Sequence, residues 1–66
     1  MTTALPDPMA VFPRDGYTQL IYARREDADT VANHYRARGA VVGRPDVWTV
    51  NVHGPDIDDA AAWADR

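Results

Sequence analysis

The sequence predicts one small domain of the α+β class. Apolar and polar residues alternate from Val47 to His53, a period of two that indicates a strand with one buried face. A segment from Asp27 to Arg38 instead has apolar residues at helical spacing. With 66 residues, the chain buries only about 60% of its unfolded surface, so we expect modest stability.

The N-terminal part is predicted to contribute little regular structure. Residues 1–8 contain two prolines and are expected to form a flexible lead-in to a domain that spans residues 9–66. Met9–Phe12 is either a short strand or an irregular arm whose Phe12 fills the core. Pro13–Gly16 is predicted to be a turn, because proline presets φ and the Asp-Gly pair tolerates a reversal.

Tyr17–Ala23 is a predicted strand whose facing stays open. Apolar side chains occur at odd and even positions, so either phase leaves some of them on the face away from the core. One phase buries Thr18, Leu20 and Tyr22, whereas the other buries Ile21.

The first helix is predicted from Asp27 to Arg38. Acidic residues lie at its start, basic residues lie at its end, and Gly39 follows as the residue that ends it. Its apolar face consists of Ala28, Val31, Ala32 and Tyr35.

A hairpin is predicted to follow. Ala40–Gly43 forms a short strand, Arg44–Asp46 turns the chain, and Val47–His53 returns as the central strand. The side chains expected to face the core are Trp48, Val50 and Val52.

A second helix is predicted after Gly54-Pro55. Asp56 is expected to cap it, with Asp59 in the capping-box position. Trp63 is expected to fold over the small core, although an exposed anchor for a partner is the alternative. The apolar stripe consists of Ile57, Ala60, Ala61 and Ala64.

This order of elements predicts a small truncated ferredoxin-like βαββα sheet with both helices on one face. A right-handed crossover leaves room for Val47–His53 between the other two strands. The edge beside Tyr17–Ala23 then pairs with Met9–Phe12, as an extra N-terminal strand, or with a partner chain.

Composition excludes several kinds of chemistry. Cysteine, serine and lysine are absent, which removes disulfides, thiolate metal sites, serine or cysteine nucleophiles and a P-loop. We therefore expect no enzyme activity and no cofactor. The net charge of −3 disfavours a general nucleic-acid binder. Basic residues that are all arginine suggest a GC-rich genome, such as that of an actinobacterium or its phage.

No membrane span or secretion signal is predicted, so we expect a cytoplasmic protein without a membrane partner.

Two groups of polar residues are candidates for a metal site or a catalytic site. His53, Asp56 and Asp58 offer suitable metal ligands, but a closed zinc site needs four and His34 is expected on the outer side of the first helix. General acid–base chemistry by His53 with Asp56 or Asp46 would need a deeper pocket than so thin a domain offers. We predict neither a metal site nor a catalytic residue.

Aromatic and basic residues suggest another candidate, a nucleic-acid surface. Tyr17, Tyr22 and His53 on the sheet could stack bases beside a basic patch. The alternative is that the arginines complement the helix dipole and are solvated. The arginines concerned are Arg24, Arg25, Arg36 and Arg38.

Three segments resemble the SPOR domain, a small module that binds septal peptidoglycan glycan strands. They are Tyr17–Leu20, the alanine-bearing helix that ends at Arg38-Gly39, and Val50–Pro55, which is similar to the V-x-V-G-P ending of that family with one residue inserted. The resemblance covers residues 17–64 and implies a glycan-binding sheet. Thr49 stands where that family has an arginine, and the last strand is missing.

The sequence therefore favours a small non-catalytic interaction protein that binds a protein partner, or itself as a dimer, through an open sheet face or edge. A SPOR-like glycan binder is the first alternative and a single-stranded nucleic-acid binder the second. The candidate binding residues are Tyr17, Gln19, Ile21, Val47, Thr49, Asn51 and His53.

Overall fold

The computed structural model describes residues 5–65 and contains one sheet and two α-helices. In these residues all neighbouring strands are antiparallel, in the order β1-β2-β4-β3. Short 3₁₀ turns flank the second helix. The predicted α+β class is confirmed. The elements are β1 (Ala10–Arg14), β2 (Tyr17–Ile21), α1 (Arg25–Ala37), β3 (Val41–Gly43), β4 (Thr49–His53) and α2 (Ile57–Ala61).

The sheet order agrees with the predicted position of the central strand, because β4 pairs with both β2 and β3. The strand that fills the edge beside β2 comes from the chain itself: β1 pairs with β2 along its whole length. β1 extends to Arg14, beyond the predicted end at Phe12. The ferredoxin-like description stays a prediction, since the sheet has this added strand and α2 is short.

The facing of β2, left open by the sequence, follows from burial. Thr18, Leu20 and Tyr22 are buried, whereas Tyr17 and Ile21 are half-buried on the other side. Hydroxyl Oγ1 of Thr18 also donates a hydrogen bond of 3.0 Å to the backbone carbonyl of Ile57. The core cluster joins both helices to this side of the sheet through Leu20, Tyr22, Ala28, Val31, Ala32, Tyr35, Ala40, Val50, Val52 and Ala60.

The first helix buries the predicted face and begins two residues earlier than expected, at Arg25. Gly39 follows it with a φ of 91°, a left-handed value that residues with a Cβ rarely adopt.

Part of the predicted lead-in, residues 1–4, lies outside the described residues. Leu5 packs against the core.

The prediction that Trp48 faces the core is wrong. Strand β4 begins only at Thr49, and the side chain of Trp48 lies in the preceding turn, where the residue is 48% exposed. The carboxylate of Asp46 accepts a hydrogen bond from the Trp48 amide at 2.9 Å, and the guanidinium of Arg44 donates to the carbonyls of Val47 and Thr49. These bonds close a longer loop than the predicted turn, and Trp48 lies in that loop.

Asp56 is the N-cap residue of α2, as predicted, but its side chain and that of Asp59 bond to other partners. Asp56 precedes α2 but makes no capping hydrogen bond with its side chain. Its carboxylate instead accepts two hydrogen bonds from the Arg38 guanidinium, at 3.1 and 3.2 Å. Asp59 accepts a hydrogen bond of 2.8 Å from the Tyr35 hydroxyl. Both aspartates therefore join the last segment of the chain to α1.

Candidate functional site

The face of the sheet opposite the core cluster is the candidate site, and we call it the outer face. Pairing registers place its residues in three rows that cross the strands. The first row is Arg14, Tyr17, His53 and Val41. The second row is Phe12, Gln19, Asn51 and Gly43. The third row is Ala10, Ile21 and Thr49.

Six of the seven predicted binding residues come together on this face as three directly opposed pairs of β2 and β4. The pairs are Tyr17 with His53, Gln19 with Asn51, and Ile21 with Thr49. Thr49 is only 4% exposed and offers little surface to a ligand. Val47, the seventh residue, lies in the loop before β4 and is exposed.

An aromatic pair dominates the first row. The rings of Tyr17 and His53 are 5.1 Å apart at their centroids, with an angle of 30° between their planes. Val41, directly opposite His53 on β3, is 69% exposed. This row therefore combines stacked rings with an exposed aliphatic side chain at the edge.

The second row has a projecting side chain at one end and none at the other. Phe12 is 40% exposed, and the Arg14 guanidinium lies 5.2 Å from the centre of its ring. At the other end, a Cβ added to Gly43 would lie 3.6 Å from the Asn51 Cβ. Side-chain atoms of Asn51 and His53 lie within 3.9 Å of that position, so they partly cover Gly43. The Oδ1 of Asn51 is buried without a hydrogen-bond partner in the described chain.

Sequence reasoning missed five residues of this face: Ala10, Phe12, Arg14, Val41 and Gly43. Phe12 was considered for the core, yet it points to the outer face because β1 pairs with β2 in a register that sets it opposite Gln19. The signal for Arg14 and Phe12 was their spacing of two, which places them on one face of a strand. That spacing is informative only if Ala10–Arg14 forms a strand, which the sequence left open.

Charge is distributed unevenly between the two sides of the molecule. The sequence has ten acidic residues, but none of those in the described chain lies in the three rows of the outer face. Arg14 is the charged residue of these three rows. In contrast, the segment from Gly54 to Asp65 holds four aspartates and no basic residue. The outer face can therefore meet a neutral or negative surface without repulsion between carboxylates.

Three of the four arginines proposed for a basic patch are engaged by neighbouring side chains. Arg38 is engaged by Asp56, and Arg24 lies 3.5 Å from the carboxylate of Glu26. Arg36 donates to the side chain of Asn33. Two of the proposed stacking rings, Tyr17 and His53, share the outer face.

Tyr22, the third proposed stacking residue, is buried on the core side. Burial, chiefly, raises the pKa of its hydroxyl above the usual range, and the charges of Tyr35, Asp27 and Asp7 act in the same direction. Its Oη has no hydrogen-bond partner among residues 5–65. Tyr22 is therefore a core residue and not part of a binding surface.

The polar residues weighed for metal binding or catalysis have other roles. His53 stacks on Tyr17, Asp56 binds Arg38, and Asp46 accepts the amide of Trp48. Within residues 5–65, no group of three or more histidine, cysteine or acidic side chains could hold a metal ion. No described helix is long and apolar enough to cross a bilayer.

Comparison with protein-family models, curated proteins and solved structures finds no match to this chain. The resemblance to SPOR domains stays a prediction.

Proposed function

We propose that this chain is a small non-catalytic interaction protein that binds another protein surface through its outer face. The observation that carries the proposal is the convergence of Tyr17, Gln19, Asn51 and His53 on two adjacent strands, with exposed Phe12 and Val41 on the strands at either side. Aromatic side chains supply much of the contact area in protein interfaces. A partner would remove this apolar surface from water.

The face is a better binding surface than either edge of the sheet. Pro13 lies in β1 and cannot donate a backbone hydrogen bond to an added strand. The opposite edge strand, β3, has only three residues. We accordingly describe the fold as a truncated ferredoxin-like sheet, extended by β1, that presents its face rather than its edge.

Glycan binding is the second candidate, favoured by one feature of the second row. Gln19 and Asn51 form an amide pair next to the ring of Tyr17, and amides can both donate and accept hydrogen bonds from hydroxyl groups. Single-stranded nucleic acid has less support, because the proposed arginines do not form a patch beside the face.

A site-specific photo-cross-linking amino acid tests the proposal in cells of the source organism. Placed at Val41, which is exposed on the outer face, it should give discrete cross-linked protein products that mass spectrometry can identify. The matched control places it at Thr30, an exposed residue of α1. Equal product patterns from both positions, or none from Val41, would contradict a protein-binding outer face.

A further inference from the structure

We infer that the outer face binds a short acidic segment of its protein partner, and that a carboxylate of this segment pairs with Arg14. This inference rests on the proposed function, since it uses the same surface and names the chemistry of the partner. Two properties of the face carry it: the distribution of charge around Arg14 and the small size of the face.

Arg14 is an exposed arginine that has no carboxylate partner in the described chain. Arg24, Arg38 and Arg44 each form a salt bridge with an acidic side chain, whereas the Arg14 guanidinium lies over the ring of Phe12. This cation–π contact holds the charge at the outer face. No described residue accepts a hydrogen bond from the guanidinium. Its N–H groups are therefore available to donate two parallel hydrogen bonds to a carboxylate of another chain.

The rest of the first row favours an anionic partner over a cationic one. Tyr17 stands directly opposite Arg14, and His53 stands opposite Tyr17, so a guanidinium, a phenol and an imidazole follow each other across the sheet. All three can donate hydrogen bonds, and none is a carboxylate. Asp15, next to Arg14 in the hairpin turn, forms no salt bridge with it. A partner carboxylate therefore meets donors along this row, whereas a partner lysine or arginine would meet no carboxylate in it.

The size of the outer face suits a short segment better than a folded domain. Its four strands, of up to five residues each, cover on the order of 250 Å² in projection. That is about a third of the roughly 800 Å² that each partner contributes to a standard interface. The first row spans roughly 14 Å, which about four or five extended residues can cover. Such a segment can place a carboxylate at Arg14 and an apolar side chain beside exposed Val41, at the other end of the row.

A change of charge at Arg14, combined with the cross-linking amino acid at Val41, tests the inference in cells of the source organism. We expect Arg14→Glu to lower the yield of cross-linked protein at least about fivefold, because a carboxylate replaces the cation. Arg14→Lys, which keeps the charge, should lower the yield less than Arg14→Glu. The matched control is Arg25→Glu, the same change at an exposed arginine of α1, which should leave the yield unchanged.

A synthetic peptide gives the second readout, with the sequence of the segment that mass spectrometry finds cross-linked to Val41. Fluorescence anisotropy of the labelled peptide measures its dissociation constant with the purified chain. Replacement of the acidic residue of the peptide by arginine should weaken binding at least about fivefold, and this change leaves the folding of the chain untouched. The same peptide variant should bind Arg14→Glu with an affinity within about threefold of the original pair, since the two charges are exchanged.

The outcomes separate this inference from the proposed function. Cross-linked protein that Arg14→Glu leaves unchanged, or that Arg14→Glu and Arg25→Glu reduce equally, would overturn the acidic segment and uphold a protein-binding outer face. A segment without an acidic residue, or a charge exchange that restores no binding, would have the same meaning. Products that a nuclease removes would identify a nucleic acid and reject both proposals. Thermal melts of each variant show that a lower yield does not come from unfolding.

Discussion

The two tryptophans show how much a single residue depends on its neighbours. Trp63 is half-buried, packs against the core and donates a hydrogen bond of 3.1 Å from its Nε1 to the Tyr35 hydroxyl. Trp48 lies in the alternating pattern of the central strand, yet its side chain projects from a loop that Arg44 and Asp46 hold closed. An exposed tryptophan near one end of the sheet is therefore a surface feature and not a core feature.

We predict that Trp48→Ala lowers the free energy of unfolding by less than about 1 kcal/mol, as is usual for exposed side chains. The backbone carbonyl of Trp48, which accepts the amide of Tyr22, stays in place in this variant. Urea denaturation followed by circular dichroism measures the effect. A loss of about 3 kcal/mol or more, typical of a buried aromatic residue, would show that the ring contributes to the core.

At the scale of elements, a side-chain network holds the last segment of the chain against α1. Arg38 binds Asp56, while Tyr35 donates to Asp59 and accepts from Trp63. The hydrogen bonds to Asp56 are the main cause of a raised pKa for the Arg38 guanidinium. A helix as short as α2, with five residues, gains little from its own hydrogen bonds, so these contacts to α1 are needed to position it.

Because Tyr35 belongs to this network, the free energy of unfolding should fall at alkaline pH. Burial, chiefly, raises the pKa of Tyr35 to about 12; the hydrogen bond from Trp63 lowers it and the bond to Asp59 raises it. Between pH 10 and 12, the unfolded chain releases this proton while the folded chain retains it, so the free energy of unfolding falls as pH rises through that range. Below pH 10, the contribution of Tyr35 is fully present.

The variants Tyr35→Phe and Tyr22→Phe test the role of the Tyr35 hydroxyl, because each removes the hydroxyl of one buried tyrosine. At pH 7, Tyr35→Phe should cost about 1–2 kcal/mol, because it removes two hydrogen bonds. Tyr22→Phe should be neutral or slightly stabilising, because the hydroxyl it removes is buried without a partner among the described residues. Urea midpoints from pH 8 to 12 should decline less steeply in Tyr35→Phe than in the wild type. An equal decline would show that Tyr35 does not hold its proton in the folded chain.

At the scale of the whole molecule, one core supports both sides of the sheet. The inward side of β2 and β4 packs against both helices, and the outward side of the same strands forms the outer face. Any change that loosens this core therefore also disturbs the rows of the outer face. A short chain with one core is expected to unfold in a single step.

Leu20→Ala should show this cooperativity. Leu20 is fully buried, so the substitution should cost about 2–5 kcal/mol, a large fraction of the stability of a small domain. Circular dichroism and tryptophan fluorescence should report the same urea midpoint, shifted to lower concentration. Val41→Ala, on the outer face, should change stability by less than about 0.5 kcal/mol. Separate transitions from the two probes would contradict a single cooperative core.

The sequence by itself determined the features that depend on local physics. The apolar stripe of α1, the turn at Gly39 and the alternation of Val50 and Val52 follow from the periods of a helix and a strand, and all appear in the structure. The same alternation placed six of the seven candidate residues on the outward side of β2 or β4 once the facing was known. Those parts needed no information about distant contacts.

Only the tertiary structure decided the facing of β2, the role of Asp56 and the position of Trp48. These features depend on contacts that local sequence patterns do not reveal. The pattern of β2 is apolar on both sides, so its facing was fixed by the pairing of Thr18 and Leu20 with Val52 and Val50 under the helices. Asp56 matched a helix cap by sequence, yet the bidentate ion pair with Arg38, 18 residues away, engages both of its carboxylate oxygens. Trp48 fitted the strand by its alternation, but the Arg44 and Asp46 hydrogen bonds stabilise a loop there. For Asp56 and Trp48, side-chain hydrogen bonds outweighed a weak local preference.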